Sequence, residues 1–138
     1  MERYDRHILT RLPGMPGIIG LFIEKGGKRF PLLFLGSWLD GIRGLIKNFM
    51  DPFFIRYREL REKIEEKIEM EEIRVTCTVI ETSPEDIQDI LYYLIQTYRP
   101  PNNLQSFAGS GRYKNVYVEE LQGKDFDEIR RNNSRSPL

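Results

Sequence analysis

The sequence predicts an α+β domain: a small, three-stranded, mostly antiparallel sheet flanked by three helices. Three observations carry this. The stretch "LFIEKGGKRFPLLFLG", Leu21 to Gly36, is two short apolar runs folded about Gly26-Gly27, the pattern of a hairpin. The apolar periodicities then run helix, helix, strand, helix, without the regular alternation that a parallel sheet requires. A chain of 138 residues, 40% hydrophobic, is the size of one compact domain.

The elements follow in order. Met1 to Pro16 reads as an irregular leader, because "RLPGMPG" packs two prolines and two glycines into seven residues. Ile18 to Ile23 is apolar on both alternating faces, so this strand is expected at the centre of the sheet, covered on both sides. Phe30 to Leu35 returns as an edge strand, since Pro31 has no amide proton to donate. A first helix is expected over 37–50, capped by Ser37 or Asp40, with Leu39, Ile42, Leu45, Ile46 and Phe49 at helical spacing. A second is expected over 51–72, with Asp51 as cap, Pro52 as first residue and Tyr57, Leu60, Ile64 and Ile68 on one face. Ile73 to Ile80 is a strand with Ile73, Val75, Cys77 and Val79 inward; Cys77 is then a small core residue. "TSPED" opens a third helix over 84–99, ended by Pro100-Pro101. Beyond it come a polar loop in which "GSG" (109–111) is a flexible segment, a short strand "VYVEEL", and one or two helical turns in "KDFDEIRR". The expected organisation is a leader over 1–16, one domain over 17–122, and a short helical turn with a flexible tail over 123–138.

Composition narrows the function. One cysteine and one histidine leave no internal disulfide and no His/Cys metal centre. The longest mostly apolar stretch is too short to cross a bilayer and the charged start lacks a signal peptide's apolar core, so no membrane partner and a cytoplasmic home are expected. Formal net charge is zero, but residues 1–61 sum to +5 and residues 62–138 to −5. Such segregation permits one basic face.

The order of elements and three motifs resemble the GIY-YIG nuclease family, as in the amino-terminal nuclease domain of the bacterial excision-repair endonuclease. "PGIIGLFIEKGGKRFPLLFLG" is similar to the family's paired-strand hairpin, with Gly20-Leu21-Phe22 and Phe34-Leu35-Gly36 at its two tripeptides. "GSWLDGIRGL" is similar to the start of the following helix, and "IQDILYYLIQTYRPPNN" to the third helix and its ending. The likeness covers roughly Pro16 to Asn103. It implies the fold above and a site made of two tyrosines, an arginine, a metal-binding glutamate and an asparagine. Here those positions hold Phe22, Phe34, Gly44, Leu91 and Asn103. Phenylalanine cannot pass a proton, and leucine cannot hold Mg²⁺, which wants oxygen ligands. Only the asparagine remains.

The expected function is therefore nucleic-acid binding on a nuclease-like scaffold with a degenerate active site. Lys28, Arg29, Trp38, Arg43, Lys47, Arg99 and Asn103 are the expected contacts: cations to phosphates, Trp38 to a base, with DNA bound non-specifically. No cofactor is expected. One alternative is a metal-dependent endonuclease with a rearranged set, drawing on Arg43 with Glu24, Glu81, Glu85 or Asp89, and needing Mg²⁺ or Mn²⁺. Another is a protein-interaction or structural module, pairing with a protein partner or a second copy through an apolar former cleft or the charged second helix.

Overall fold

The computed structural model describes residues 2–5, 7–68 and 72–103. The expected loop, last strand and tail beyond Asn103 lie outside the described residues. The architecture is α+β, and among the described residues the sheet has four strands in place of the expected three. β1 (Glu2–Arg3), β2 (Gly17–Lys25), β3 (Lys28–Ser37) and β4 (Glu72–Val79) are ordered β1-β4-β2-β3, with every neighbour antiparallel. The helices are α1 (Gly41–Met50), α2 (Arg58–Ile68) and α3 (Pro84–Tyr98). As expected, β2 is interior and Pro31 lies on an edge strand. The β2–β3 turn is Gly26-Gly27, with φ of 59° and 76°; a two-residue turn matching strand twist needs positive φ at both positions.

Alternation along β2 sends side chains into two separate cores. Ile19, Leu21 and Ile23 join Ile42, Leu45, Ile46 and Phe49 of α1 and Ile64 of α2. Ile18 and Phe22 point the other way and join Ile87, Ile90, Leu91, Leu94 and Ile95 of α3. Between Leu21 and Phe22 the pairing with β3 slips by one residue. The bulge lets consecutive Leu32 and Leu33 both enter the first core, which strict alternation forbids.

The described residues of the leader, 2–5 and 7–16, are more ordered than its prolines and glycines suggested. β1 extends the sheet, a 3-10 turn spans Ile8–Thr10, and Tyr4, Ile8 and Leu12 are buried in the first core. Helix N-termini need acceptors for their free N–H groups. At α1 the leader provides them: Ile42 N donates to Met15 O at 2.8 Å and Arg43 N to Pro13 O at 3.0 Å. Gly41 turns at φ 71°, where a Cβ would stand 2.2 Å from Gly14 O, so the approach is open only to glycine. α1 therefore begins at Gly41 with Asp40, the second of the two expected caps, at the N-cap position, though its side chain makes no capping hydrogen bond. Ser37 still accepts a hydrogen bond from Asp40 N at 3.1 Å, in the turn before the helix.

The second helix also starts later than its cap-like sequence predicts. Asp51 Oδ1 accepts from Phe53 N at 2.9 Å, closing a side-chain turn instead of a helix cap. A 3-10 turn (Ile55–Tyr57) follows, and α2 begins only at Arg58. The reason is Arg61, a charged residue that is nevertheless buried. Its guanidinium donates to Asp51 O at 2.6 Å, Pro52 O at 3.3 Å, Phe49 O at 3.4 Å and Phe54 O at 3.5 Å. It thus serves the end of α1 and holds 51–54 out of a helix. α3 matches expectation: Ser83 caps by accepting from Asp86 N, and Pro84 is the first residue. No helix among the described residues is long and apolar enough to cross a membrane.

Candidate functional site

The hairpin and α3 bring three of the motif positions together, and Asn103 joins them from beyond α3. Phe22 and Phe34 stand on neighbouring strands on the α3 side of the sheet, their rings edge-to-face with centroids 5.6 Å apart. Gly20, directly opposite Phe34, makes room for them: a Cβ there would lie 2.8 Å from each ring. Phe34 also meets Tyr98 at 5.8 Å. Leu91 closes the same core from above, and α3 settles close because Gly36 leaves only hydrogen beneath Ile87. Phe22, Phe34 and Leu91 are all buried, so side chains fill the cleft. None of these three side chains can accept a proton or hold a cation.

Asn103 reaches this place from outside the sheet. After α3, Arg99 takes a left-handed conformation (φ 47°) and its amide closes the helix on Ile95 O. The chain then runs along the edge of β3 that faces away from β2. Asn102 N donates to Leu32 O at 3.1 Å. The Asn103 side chain imitates another strand: its Oδ1 accepts from Phe34 N at 2.8 Å and its Nδ2 donates to Phe34 O at 2.9 Å. An amide is the side chain able to do both from one end. It satisfies an edge residue that would otherwise be left open. Asn103 therefore locks Phe34 in place.

The expected contact residues divide among several locations. Lys28 and Arg29 are exposed at the hairpin tip, and Arg99 is exposed at the end of α3. Trp38 is half-buried against the α3-side core. Arg43, Gly44 and Lys47 belong to α1, which packs on the opposite face. The Arg43 guanidinium is engaged, donating to Leu12 O through Nε at 3.0 Å and Nη2 at 2.7 Å. Lys28, Arg29 and Lys47 have no ion pair among the described residues.

The carboxylates weighed for a rearranged site are dispersed as well. Glu24 faces Arg74 at 3.7 Å, Glu81 and Glu85 are exposed around the start of α3, and Asp89 is buried within α3. Among the described residues no three His, Cys, Asp or Glu side chains gather as a metal site. Cys77 packs against the first core, and burial, with a lesser push from Glu2, raises its thiol pKa to about 12, so it is a poor nucleophile.

Two features had weak sequence signals. Arg61 falls four residues after Tyr57 and three before Ile64, on the apolar stripe itself, and that spacing marks it for burial. Phe53 and Ile55, expected in a helix, are 88% and 80% exposed on the turn that Arg61 holds.

Fold and site define an antiparallel α+β protein with a dry aromatic cluster where its sequence likeness placed polar chemistry. A family model described as "Uncharacterised protein" matches residues 1–136, and the chain belongs to that family. No curated protein and no solved structure gives a match.

Proposed function

We propose that this chain is a non-cleaving nucleic-acid-binding protein on a GIY-YIG-nuclease-like scaffold. The observation that carries the reading is the Phe22–Phe34 pair sealed beneath Leu91, with Asn103 fastened to the Phe34 backbone. Four of the five positions that the resemblance aligns meet, Gly44 on α1 being the exception, and this favours the scaffold. They meet without a base, an acid or a metal ligand, each of which acts on the transition state of cleavage. What remains for a nucleic acid is charge: the exposed Lys28 and Arg29 at the hairpin tip, Lys47 on α1 and Arg99 at the end of α3. Such contacts go to phosphates and carry little base information.

The test is fluorescence anisotropy with short single- and double-stranded DNA and RNA over a range of salt. The expected result is weak binding whose affinity falls with salt by roughly 2 to 4 phosphate contacts' worth. Lys28→Glu with Arg29→Glu should weaken binding evenly across sequences. Supercoiled plasmid should stay intact with Mg²⁺ or Mn²⁺. Absence of binding at low salt with folded protein at tens of micromolar, roughly the weak end of non-specific affinities, overturns the reading, as does nicking that Glu85→Ala abolishes.

A further inference from the structure

Among the described residues, Arg99 is the only residue other than glycine with a positive φ, 47° with ψ 57°. The position closes α3, where glycine is the usual occupant because a Cβ crowds the neighbouring carbonyl in this conformation. Pro100 follows at once and restricts the preceding backbone further. The chain thus holds an arginine where glycine would sit with less strain, and such an outlier points to work done by the side chain. That side chain is exposed and has no ion pair among the described residues.

The corner that carries Arg99 is tied down. Asn102 N donates to Leu32 O at 3.1 Å, Asn103 N donates to Pro100 O at 3.1 Å, and the Asn103 amide grips both backbone groups of Phe34. The corner is therefore moored to β3 at Leu32, about 10 Å along the strand from Arg29 at a strand's rise per residue. Arg29 pairs with Glu24, two residues beyond Phe22, so alternation puts it on the α3 side of the sheet. Lys28 precedes it at the tip. The described carboxylates at this end of that face are Glu24 and Glu72, and both are engaged. Glu24 faces Arg74 at 3.7 Å, and Glu72 meets Arg74 and Arg3 at 3.0 Å each. Lys28, Arg29 and Arg99 are the positive charges left over. We infer that Arg99 and Arg29, with Lys28, form one clamp on consecutive phosphates of a nucleic-acid backbone, and that Asn103 is its positioning residue, fixing the α3 end beside the hairpin. Guanidinium groups suit phosphate oxygens, and a spacing set beforehand costs little to order on binding. The inference rests on the binding function proposed above and deepens it, joining the hairpin tip and the end of α3 into one site and giving the retained asparagine a task.

The experiment uses the full chain, with fluorescence anisotropy of a labelled DNA oligonucleotide over a range of salt and a thermal melt of each variant. Arg99→Gly relieves the backbone, so the thermal midpoint should hold or rise by a few degrees. Affinity should fall about fivefold, evenly across sequences, and the salt slope should fall by about one contact's worth. Asn103→Ala should give the same loss of slope, and adding Arg99→Gly to it should cost no more, because both act through one contact. If Asn103→Ala does not fold, the comparison of Arg99→Gly with wild-type decides alone. If wild-type binds and Arg99→Gly binds with the same affinity and slope, this inference falls while the proposed function stands on Lys28 and Arg29. A midpoint that drops by several degrees with binding unchanged makes Arg99 a helix-end residue and overturns the inference as well. Losses that simply add overturn the role of Asn103. If wild-type does not bind, the inference and the proposed function fall together.

Discussion

The two faces of the sheet are built on different principles. The α3 face is hydrocarbon at its centre, where Phe22, Phe34 and Ile18 meet Leu91 and its apolar neighbours; Asp89 is buried on α3, Thr76 bonds Gly20 O beside the aromatic pair, and Ser83 and Asn103 stand at the rim. The α1–α2 face buries polar groups and answers most of them across the chain, through Arg61 on the inter-helix turn and leader carbonyls on the first amides of α1. Tyr4 packs edge-on against Phe49, its buried hydroxyl has no hydrogen-bond partner among the described residues, and burial raises its pKa. The difference teaches where function has room. A centre closed by hydrocarbon can only be stable, whereas the face organised by hydrogen bonds holds an exposed turn in a fixed shape.

The comparison breaks most sharply at the centre of each face. Phe34→Ala should cost about 4 kcal/mol in urea unfolding, since it empties the contact with Phe22 and Tyr98. Arg61→Ala should cost about 3 kcal/mol, because buried carbonyls lose their donor. It should also change hydrogen exchange through 49–54, while Phe34→Ala should leave that segment as it is. If both losses spread over the whole chain alike, the two faces are not distinct units.

Exchanging one hydroxyl between the faces sharpens the contrast. Phe34→Tyr introduces a hydroxyl among hydrocarbon and should cost about 2 kcal/mol if it remains buried. Tyr4→Phe removes one that is already unanswered, and the unfolding midpoint should stay level or rise by up to about 1 kcal/mol in stability. A clear loss on Tyr4→Phe would show that the hydroxyl has a partner after all.

The smallest effect concerns Cys77. Burial raises its thiol from 9.0 to about 12. The unfolded thiol therefore ionises first as pH rises, the unfolded state binds fewer protons, and stability falls between those values. Cys77→Val should recover about 1 kcal/mol at about pH 10 relative to its own effect at neutral pH. Iodoacetamide should label the folded protein slowly and the urea-unfolded chain fast. Rapid labelling of the folded protein would place the thiol outside the core.

How much of this was legible depends on range. Gly26-Gly27, Pro31, Ser83-Pro84 and the alternation of Ile73 to Val79 act on their immediate neighbours, so the hairpin, the edge strand, α3 and β4 could be read directly. The two-sided apolar pattern of β2 announced a strand with a core on each face. What the tertiary structure alone decided is every pairing distant in sequence: β1 on β4, Pro13 and Met15 on α1, Arg61 on the 51–54 carbonyls, Asn103 on Phe34. Asp51-Pro52 carries a good local helix start, and the fold overrides it because one buried guanidinium needs four carbonyls more than the chain needs four helical residues. Likewise the sequence named Phe22, Phe34, Leu91 and Asn103 as one constellation, but only packing turned it into a sealed core. Local preference is worth tenths of a kcal/mol per residue. A buried charge without partners costs several, and so the distant contacts prevail.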